Sequence, residues 1–348
     1  MPFEPRLNPH LDRARAHAAR WARRMGMFDE EYVQWPQRWS EEKFTRADFP
    51  LFIALTHPDA DARELELVTD WHLALWFVDD LFLPLHRRDH DHASAAAQVD
   101  RLMRFLPLDG LPRPLTPRNP VERAFADLWT GTAATMSPRW RARFTASVRR
   151  FLDGVLWELD HVEHAVTDLI EYLGARRDFG GLQFTAVLME HAAGELPADV
   201  LRDRELRTAV DAFVDAVSLH NDIVSYDREV EEGTVGNNGV EVARQAFRLN
   251  RREATALVDG LLTARVDTLA HAPAAVPAPG GALHRVAGGL LPVAPTDRPL
   301  RAGRRRGRRK APGAGHVRGL RLLLSTRPNS PEHPPETDPP NSRPEHTT

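Results

Sequence analysis

Three oxygen-bearing side chains, Asn221, Ser225 and Glu229, follow one another at intervals of four residues. In a helix of 3.6 residues per turn they stack along one face, about 6 Å apart per step. Amide, hydroxyl and carboxylate oxygens are hard donors, which suit Mg²⁺ better than zinc or copper. Arg228 can contact an anion that the metal also binds. Asp222 lies about 100° around the helix from Asn221, so its replacement by alanine is expected to reduce activity less than that of Asn221. The spacing predicts a helix that binds magnesium and a diphosphate.

A pair of carboxylates, Asp79 and Asp80, ends a strongly apolar segment. Residues 63–77 place apolar side chains at three- and four-residue spacing and then become apolar on nearly all sides, as a buried core helix does. Carboxylates at the end of such a helix need a counter-charge, which a metal ion or an arginine supplies. Alone, an Asp-Asp pair is more often a helix end or a solvent-exposed feature. In the same chain as the oxygen-ligand helix, it predicts a second wall of the metal site.

A third element combines Arg176 and Arg177 with the Gly180–Gly181 pair. Two adjacent glycines are expected to interrupt a helix and expose carbonyl groups within a bundle. The element is equally consistent with an ordinary helix C-terminus that carries favourable cations.

The elements that must position these residues are helices. From about residue 8 to 272 one helical pattern follows another, and no alternating β-branched run bounded by hairpin turns occurs. An all-α bundle of roughly ten or more helices is therefore predicted. Clusters of Pro and Gly mark the breaks, at residues 57–59, 106–110, 137–138, 194–197 and 233–239.

Composition limits the class of protein. The 348 residues include no cysteine, which excludes disulfides and thiolate metal sites, and no apolar run approaches the ~20 residues of a membrane span. No secretion signal is visible, so a soluble, cytoplasmic protein without a membrane partner is expected. The first 272 residues carry a net charge of −11. An acidic body argues against nucleic acid as a partner.

The segment 273–348 differs from the rest of the chain. It holds 14 of the 28 prolines and 13 basic against 5 acidic residues, and no Phe, Tyr or Trp follows Phe247. Such a segment cannot bury enough apolar surface to offset its ordering entropy, so a disordered tail is predicted. Its basic run, Arg304 to Lys310, is expected to be solvated rather than bound to nucleic acid or acidic lipid.

In this order and spacing, the three elements resemble those of a bacterial class I terpene synthase. Within that family the chain resembles the N-terminal, germacradienol-forming domain of geosmin synthase, over about residues 5 to 271. The Asn-Asp-x-x-Ser-x-x-x-Glu element is highly specific in this setting, while the Asp-Asp element alone is weak. Other stretches that carry the likeness are residues 6–12, 56–59, 119–122, 156–159 and 237–240. The resemblance implies an isoprenoid-synthase α-domain over residues 1–272.

The resemblance also implies roles for the metal-binding residues. Asn221, Ser225 and Glu229 match a triad that holds one of three Mg²⁺ ions. Asp79 matches the aspartate that ligates the other two Mg²⁺ ions. Asp80 would not bind a metal ion directly but would lie just outside the metal ligands, paired with an arginine.

The remaining implied roles concern the substrate. Arg176 matches an arginine that senses the diphosphate, with Phe179 as linker and Gly180 as effector, and Arg228 would contact the diphosphate. The expected substrate is a prenyl diphosphate, with farnesyl diphosphate as the first candidate. The expected lyase activity is ionisation and cyclisation to a sesquiterpene hydrocarbon or alcohol. Aromatic candidates for the wall around the cation, of which two or three are expected to line it, are Phe52, Trp71, Trp76, Phe77, Phe179 and Phe184.

Two departures from the family pattern leave a second hypothesis open, a relative that binds prenyl diphosphate with impaired turnover. Leu83 and Pro84 stand where the family carries another acidic residue, and Pro84 is expected to limit the helix. The family continues beyond residue 272 with one or two helices that end in an Arg-Tyr pair, whereas no tyrosine follows Tyr226 here. The tail is what a shifted reading frame would produce.

Two further alternatives are a prenyl-chain elongating enzyme, which should carry two Asp-rich motifs, and a helical protein with a charged surface helix. The sequence leaves the product, the prenyl chain length and the oligomeric state open, with a homodimer as one option.

Overall fold

The computed structural model of the protein describes residues 6–29, 39–89, 91–111, 114–161, 168–233 and 235–271, with the helical backbone alone given for residues 80–89. Among these residues the chain forms helices and no strand, which confirms the all-α prediction. The thirteen described α-helices are α1 (Leu11–Met25), α2 (Glu41–Ala47), α3 (Phe49–Thr56), α4 (Ala62–Asp89), α5 (His92–Met103), α6 (Pro120–Ala134), α7 (Pro138–Asp160), α8 (Leu169–Phe179), α9 (Leu182–Ala193), α10 (Ala198–Arg202), α11 (Arg204–Glu232), α12 (Gly239–Ala246) and α13 (Arg251–Ala270).

The predicted tail, the boundary at residue 272 and the role of Asp80 lie outside what is described. None of the described helices has both the length and the apolar character that a membrane span requires.

The breaks between helices fall where the sequence places Pro, Gly and capping residues. Asn119 and Ser137 begin α6 and α7 by accepting hydrogen bonds from backbone N–H groups of the first turn, and a proline follows each. Asp203 caps α11 in the same way, and Gly233, at φ 69°, ends it in a left-handed conformation. α11 is therefore fixed at both ends by local sequence.

The long helix α4 is buried over most of its described side chains, as its apolar sequence predicts. Leu65, Val68 and Trp71 are each 0% exposed. The expectation that Pro84 limits this helix is wrong, because α4 continues past it to Asp89. A proline removes the N–H that would bond to the carbonyl of residue 80, but its fixed φ near −65° is itself helical. One missing hydrogen bond does not end the helix here.

Helix α11 packs against α8, α9, α12 and α13. Asp215 of α11 forms ion pairs with two neighbouring helices. Its carboxylate lies 2.6 Å from Nε of Arg177 on α8 and 2.9 Å from Nε of Arg265 on α13. Asp215 is buried, so these contacts fix how α8 and α13 sit against α11.

Candidate functional site

A cavity of about 970 Å³, counting the solvent at its mouth, opens among α4, α7, α8, α9 and α11. It has a polar end and an apolar end. The polar lining residues include Asp79, Glu158, Arg176, Asn221, Asp222 and Glu229, and the apolar ones include Phe52, Trp76, Phe151, Phe179, Leu182, Phe184 and Val217.

The predicted oxygen triad lies on one buried face of α11. Asn221, Ser225 and Glu229 are 5%, 0% and 7% exposed. Asn221 and Glu229 line the cavity, whereas Ser225 and Arg228 lie outside the lining set. Arg228 lies beside the triad, with Nη2 3.9 Å from Oε1 of Glu229. The three side chains thus lie buried along α11, as their spacing predicts, and their role as metal ligands stays a prediction.

The triad is held by an asparagine from outside α11. Nδ2 of Asn238 donates to Oε2 of Glu229 at 3.0 Å and lies 3.4 Å from Oγ of Ser225. The same nitrogen donates to the carbonyl of Asp222 at 2.9 Å, and Oδ1 accepts from N–H of Val240 to cap α12. Asn238 is 1% exposed. Asn238 was not predicted to belong to the site, although it lies in the stretch 237–240 that carries the family likeness and caps the start of α12.

Arg176 and Asp222 form a buried ion pair next to the triad. Nε of Arg176 donates to Oδ1 of Asp222 at 3.1 Å, and Nη2 donates to Oδ1 of Asn221 at 2.9 Å. Burial is the largest single influence on Arg176 and lowers its pKa, but the electrostatic effects of Asp222, Tyr172, Glu229 and Glu158 together outweigh burial and raise that pKa. Arg177, by contrast, turns away to Asp215.

Asp222 has two further hydrogen-bond partners. Its replacement should therefore reduce activity more than its position on the helix suggests. The hydroxyl of Tyr172 donates to Oδ2 at 2.6 Å, and N–H of Gly239 donates to the same oxygen at 3.2 Å. Burial and the Asp222 carboxylate both raise the pKa of Tyr172, so the phenol keeps its proton and remains a donor. Tyr172 and Gly239 come from α8 and α12, which is why the sequence of α11 alone does not show the role of Asp222.

The glycine pair brings Arg176 to this position. Gly181 has φ 71°, which ends α8 and lets α9 begin in a new direction. A Cβ on Gly180 would lie 2.6 Å from the carbonyl oxygen of Arg176, and one on Gly154 would lie 2.6 Å from the backbone nitrogen of Phe179. A side chain at Gly154 would push α8 away from α7, and one at Gly180 would disturb the last turn of α8 itself. The predicted break at Gly180–Gly181 is confirmed, and the guanidinium of Arg176 lies 5.1 Å from the Phe179 ring centre.

Asp79 lies in the cavity wall that faces α11 from α4. It is half-buried and lines the cavity. The side chains of Asp80, Leu83 and Pro84 are outside the described set.

Four of the six aromatic candidates line the cavity, more than the two or three expected, and Phe151 joins them although sequence analysis did not name it. Trp71 instead donates to Oγ1 of Thr132 at 2.9 Å and packs on Phe144, within the core. Phe77 packs edge-on against Trp39. Because α4 is apolar on nearly all sides, its sequence could not show which rings face the cavity.

The donor set at the polar end fits a divalent cation that prefers oxygen. The triad offers amide, hydroxyl and carboxylate oxygens, which here accept hydrogen bonds from Arg176 and Asn238. Within the described residues no cluster of three His, Cys, Asp or Glu side chains could hold a metal, so a zinc-type site is absent from that part of the chain.

Comparisons with known proteins agree with this geometry. A family model described as terpene synthase family 2, C-terminal metal binding, matches residues 70–268. Pristinol synthase of Streptomyces pristinaespiralis is 31% identical over 80% of this chain and 73% of its own length. A farnesyl diphosphate-cyclising 7-epi-alpha-eudesmol synthase of Streptomyces viridochromogenes is 28% identical over 77% of this chain and 76% of its own.

A solved structure agrees as well. The crystal structure of germacradien-4-ol synthase from Streptomyces citricolor superposes with a TM-score of 0.66 at 26% identity, covering 83% of this chain and 93% of the other. The family match spans α11 and the wall that carries Asp79, and it extends over more than half of the chain. The chain therefore belongs to terpene synthase family 2, whose C-terminal region binds metal.

Proposed function

We propose that the protein is a Mg²⁺-dependent sesquiterpene cyclase that ionises farnesyl diphosphate, cyclises the resulting cation and releases diphosphate. One observation carries the proposal: a buried helix face with three oxygen donors, of which Asn221 and Glu229 line the cavity, and the largely buried Arg176 stand at one end of a cavity whose other end is aromatic. The substrate is inferred from relatives, since one of them is named as cyclising farnesyl diphosphate.

The residues that would hold the metal are Asn221, Ser225 and Glu229 on one wall and Asp79 on the other. Three ions are proposed, as the family resemblance implies. When bound, Mg²⁺ would neutralise the diphosphate so that it becomes a leaving group. The carboxylates Asp79 and Glu229 give the site a negative charge that favours cations before substrate arrives.

Arg176 would bind the diphosphate directly. Its guanidinium already lies at the triad, and turning from Asn221 to a phosphate oxygen would exchange one hydrogen-bond acceptor for a more strongly charged one. Asp222 and Tyr172 would keep its stem and charge in place. Arg228 would act from the other side of Glu229.

The aromatic end would protect the cation. Phe52, Trp76 and Phe184 line this end, and an aromatic ring whose face is turned to a desolvated cation would stabilise it by about 1–2 kcal/mol. The apolar walls also exclude water, which would otherwise capture the cation early. The product itself, and the likeness to the germacradienol-forming domain of geosmin synthase, stay predictions.

A second candidate function is prenyl diphosphate binding with impaired turnover. Leu83 and Pro84, where the family pattern has an acidic residue, favour it, since Asp79 alone would then serve two ions.

Incubation of the full chain with farnesyl diphosphate and Mg²⁺ tests both candidates, with diphosphate measured enzymatically and volatiles by gas chromatography–mass spectrometry. We expect cyclic sesquiterpenes that disappear with EDTA and in Asn221→Ala. Substrate binding without diphosphate release would favour the second candidate. Neither binding nor release would contradict both.

A further inference from the structure

The apolar end of the cavity contains one imidazole, which the roles given above do not use. His72 lies on α4, is 2% exposed and lines the cavity. Its ring centre lies 4.9 Å from that of Phe184, 5.3 Å from that of Trp76 and 6.3 Å from that of Phe52. It precedes Asp79 by seven residues, so it lies about 10 Å further along the helix from the proposed metal wall.

The partners of His72 fix its tautomer. Nδ1 lies 2.8 Å from the carbonyl oxygen of Val68. A carbonyl only accepts hydrogen bonds, so Nδ1 carries the proton and Nε2 keeps a lone pair. Burial lowers the pKa of His72 to about 3, so the ring is neutral at pH 7 and does not repel a carbocation.

The lone pair of Nε2 is directed to a second lining residue. Oγ1 of Thr185, on α9, lies 3.0 Å from Nε2 and is 1% exposed. Because Nε2 has no hydrogen, the hydroxyl of Thr185 donates to it. The oxygen of Thr185 then keeps lone pairs of its own, in a wall of the cavity.

We propose that Thr185 and His72 together form the base that ends the reaction by removing a proton from the carbocation. A C–H bond next to the cationic carbon breaks, and its electron pair becomes the new C=C bond. The proton goes to Oγ1 of Thr185, whose own proton passes to Nε2 of His72. On product release the imidazolium returns the proton to solvent or to diphosphate. This inference rests on the proposed function and adds that the main product is a hydrocarbon.

The pair can satisfy its hydrogen bonds in both protonation states. After the transfer, Nε2–H donates to Oγ1 of Thr185, and the hydroxyl can donate to the carbonyl of Gly181, which lies 3.4 Å away. Nδ1 keeps its bond to Val68. A carbocation is a far stronger acid than an imidazolium of this pKa, so the transfer runs downhill even though the buried base is weak.

Other bases in the cavity are less suited to this step. Glu158, Asp222 and Glu229 all act electrostatically on Arg176, so they belong to the polar end. A carboxylate at the polar end would bind Arg176 or the metal, and it would lie away from the aromatic rings that surround His72.

The test compares Thr185→Val, which keeps the shape and removes the hydroxyl, with Thr185→Ser, which restores a hydroxyl. The measured quantity is the ratio of the main hydrocarbon to released diphosphate, with farnesyl diphosphate and Mg²⁺. We expect this ratio to fall by about tenfold or more in Thr185→Val, since a general base contributes about 10²–10⁴-fold. Alcohols or isomeric alkenes should appear instead, and Thr185→Ser should recover the wild-type ratio. Thr130→Val, at an exposed threonine of α6, is the matched control.

His72→Phe should change the ratio in the same direction. If it fails to fold by circular dichroism, the isosteric Thr185→Val decides the question. Two results would overturn this inference: an unchanged product ratio in Thr185→Val, or a wild-type enzyme that makes only alcohols. In both cases the proposed function would still hold, provided that the enzyme releases diphosphate. A wild-type enzyme that releases no diphosphate would overturn both.

Discussion

The two ends of the cavity are built in different ways. At the polar end, Asn221, Asp222 and Glu229 accept hydrogen bonds from Arg176, Tyr172 and Asn238, so each oxygen has a fixed position before any ligand arrives. At the apolar end, rings pack at centre-to-centre distances of about 5 to 6 Å, and His72 and Thr185 contribute a polar pair. The positions of the polar side chains are thus set mainly by hydrogen bonds, and those of the aromatic side chains mainly by how the rings pack. This difference predicts that changes at the polar end abolish turnover, whereas changes at the apolar end redirect it.

The largest effect is expected from Glu229→Gln. Loss of the triad's only carboxylate should reduce diphosphate release by at least about 100-fold, since even residues that merely support metal ligands contribute about 10–100-fold. Steady-state release at several Mg²⁺ concentrations measures it. Glu231→Gln, an exposed glutamate two residues further along α11, is the matched control and should retain activity. Equal loss in both variants would contradict the role of Glu229.

The next effect is expected from Asp222→Ala. It leaves the buried guanidinium of Arg176 without its carboxylate, which should destabilise the fold by about 3–5 kcal/mol as well as reduce turnover. Thermal and urea unfolding measure the first, and diphosphate release the second. Asp227→Ala, at an exposed position of the same helix, should change both little. A fully stable Asp222→Ala variant would show that the pair does not hold Arg176.

Asn238→Ala should weaken metal binding while leaving the fold largely intact. Its Nδ2 orients Ser225 and Glu229, so we expect the Mg²⁺ concentration for half-maximal activity to rise about tenfold. Asn250→Ala is the control, because Asn250 likewise caps a helix, α13, but does not contact the triad. Both variants should lose about 1 kcal/mol of stability from the cap. An equal Mg²⁺ dependence in the two would show that Asn238 is only a cap.

The smallest effect is expected from Phe184→Leu at the apolar end. It removes one ring face, worth about 1–2 kcal/mol to a nearby cation, so product ratios should shift while the Mg²⁺ dependence stays unchanged. Phe125→Leu, at a core ring outside the cavity lining, should lower stability without shifting the products. A raised Mg²⁺ requirement in Phe184→Leu would contradict the claim that only the polar end binds the metal.

The arrangement of the polar end could be predicted from the sequence better than that of the apolar end, for a physical reason. A helix places residues four apart on one face, so the shared buried face of Asn221, Ser225 and Glu229 could be predicted from their spacing, while their role as metal ligands stays a prediction. The partners of Asp222 could not be predicted in this way, because Tyr172 and Gly239 belong to two other helices, α8 and α12. Their contacts depend on how α8 and α12 pack on α11.

At the apolar end the sequence leaves the orientation of α4 undecided. Trp71 and Trp76 differ by five residues on a helix that is buried all round, and only packing shows that Trp76 lines the cavity while Trp71 bonds Thr132. His72 falls among these rings without a motif of its own. Helix boundaries, by contrast, follow from local residues, as Ser137–Pro138 and Gly180–Gly181 show.

The most direct test of the central claim is a crystal structure of the full chain with Mn²⁺, which replaces Mg²⁺ and scatters anomalously, and inorganic pyrophosphate. We predict an anomalous peak within coordination distance of Asn221, Ser225 and Glu229, with Arg176 turned from Asn221 to a phosphate oxygen. Pyrophosphate bound with no anomalous peak at these three side chains would contradict the account.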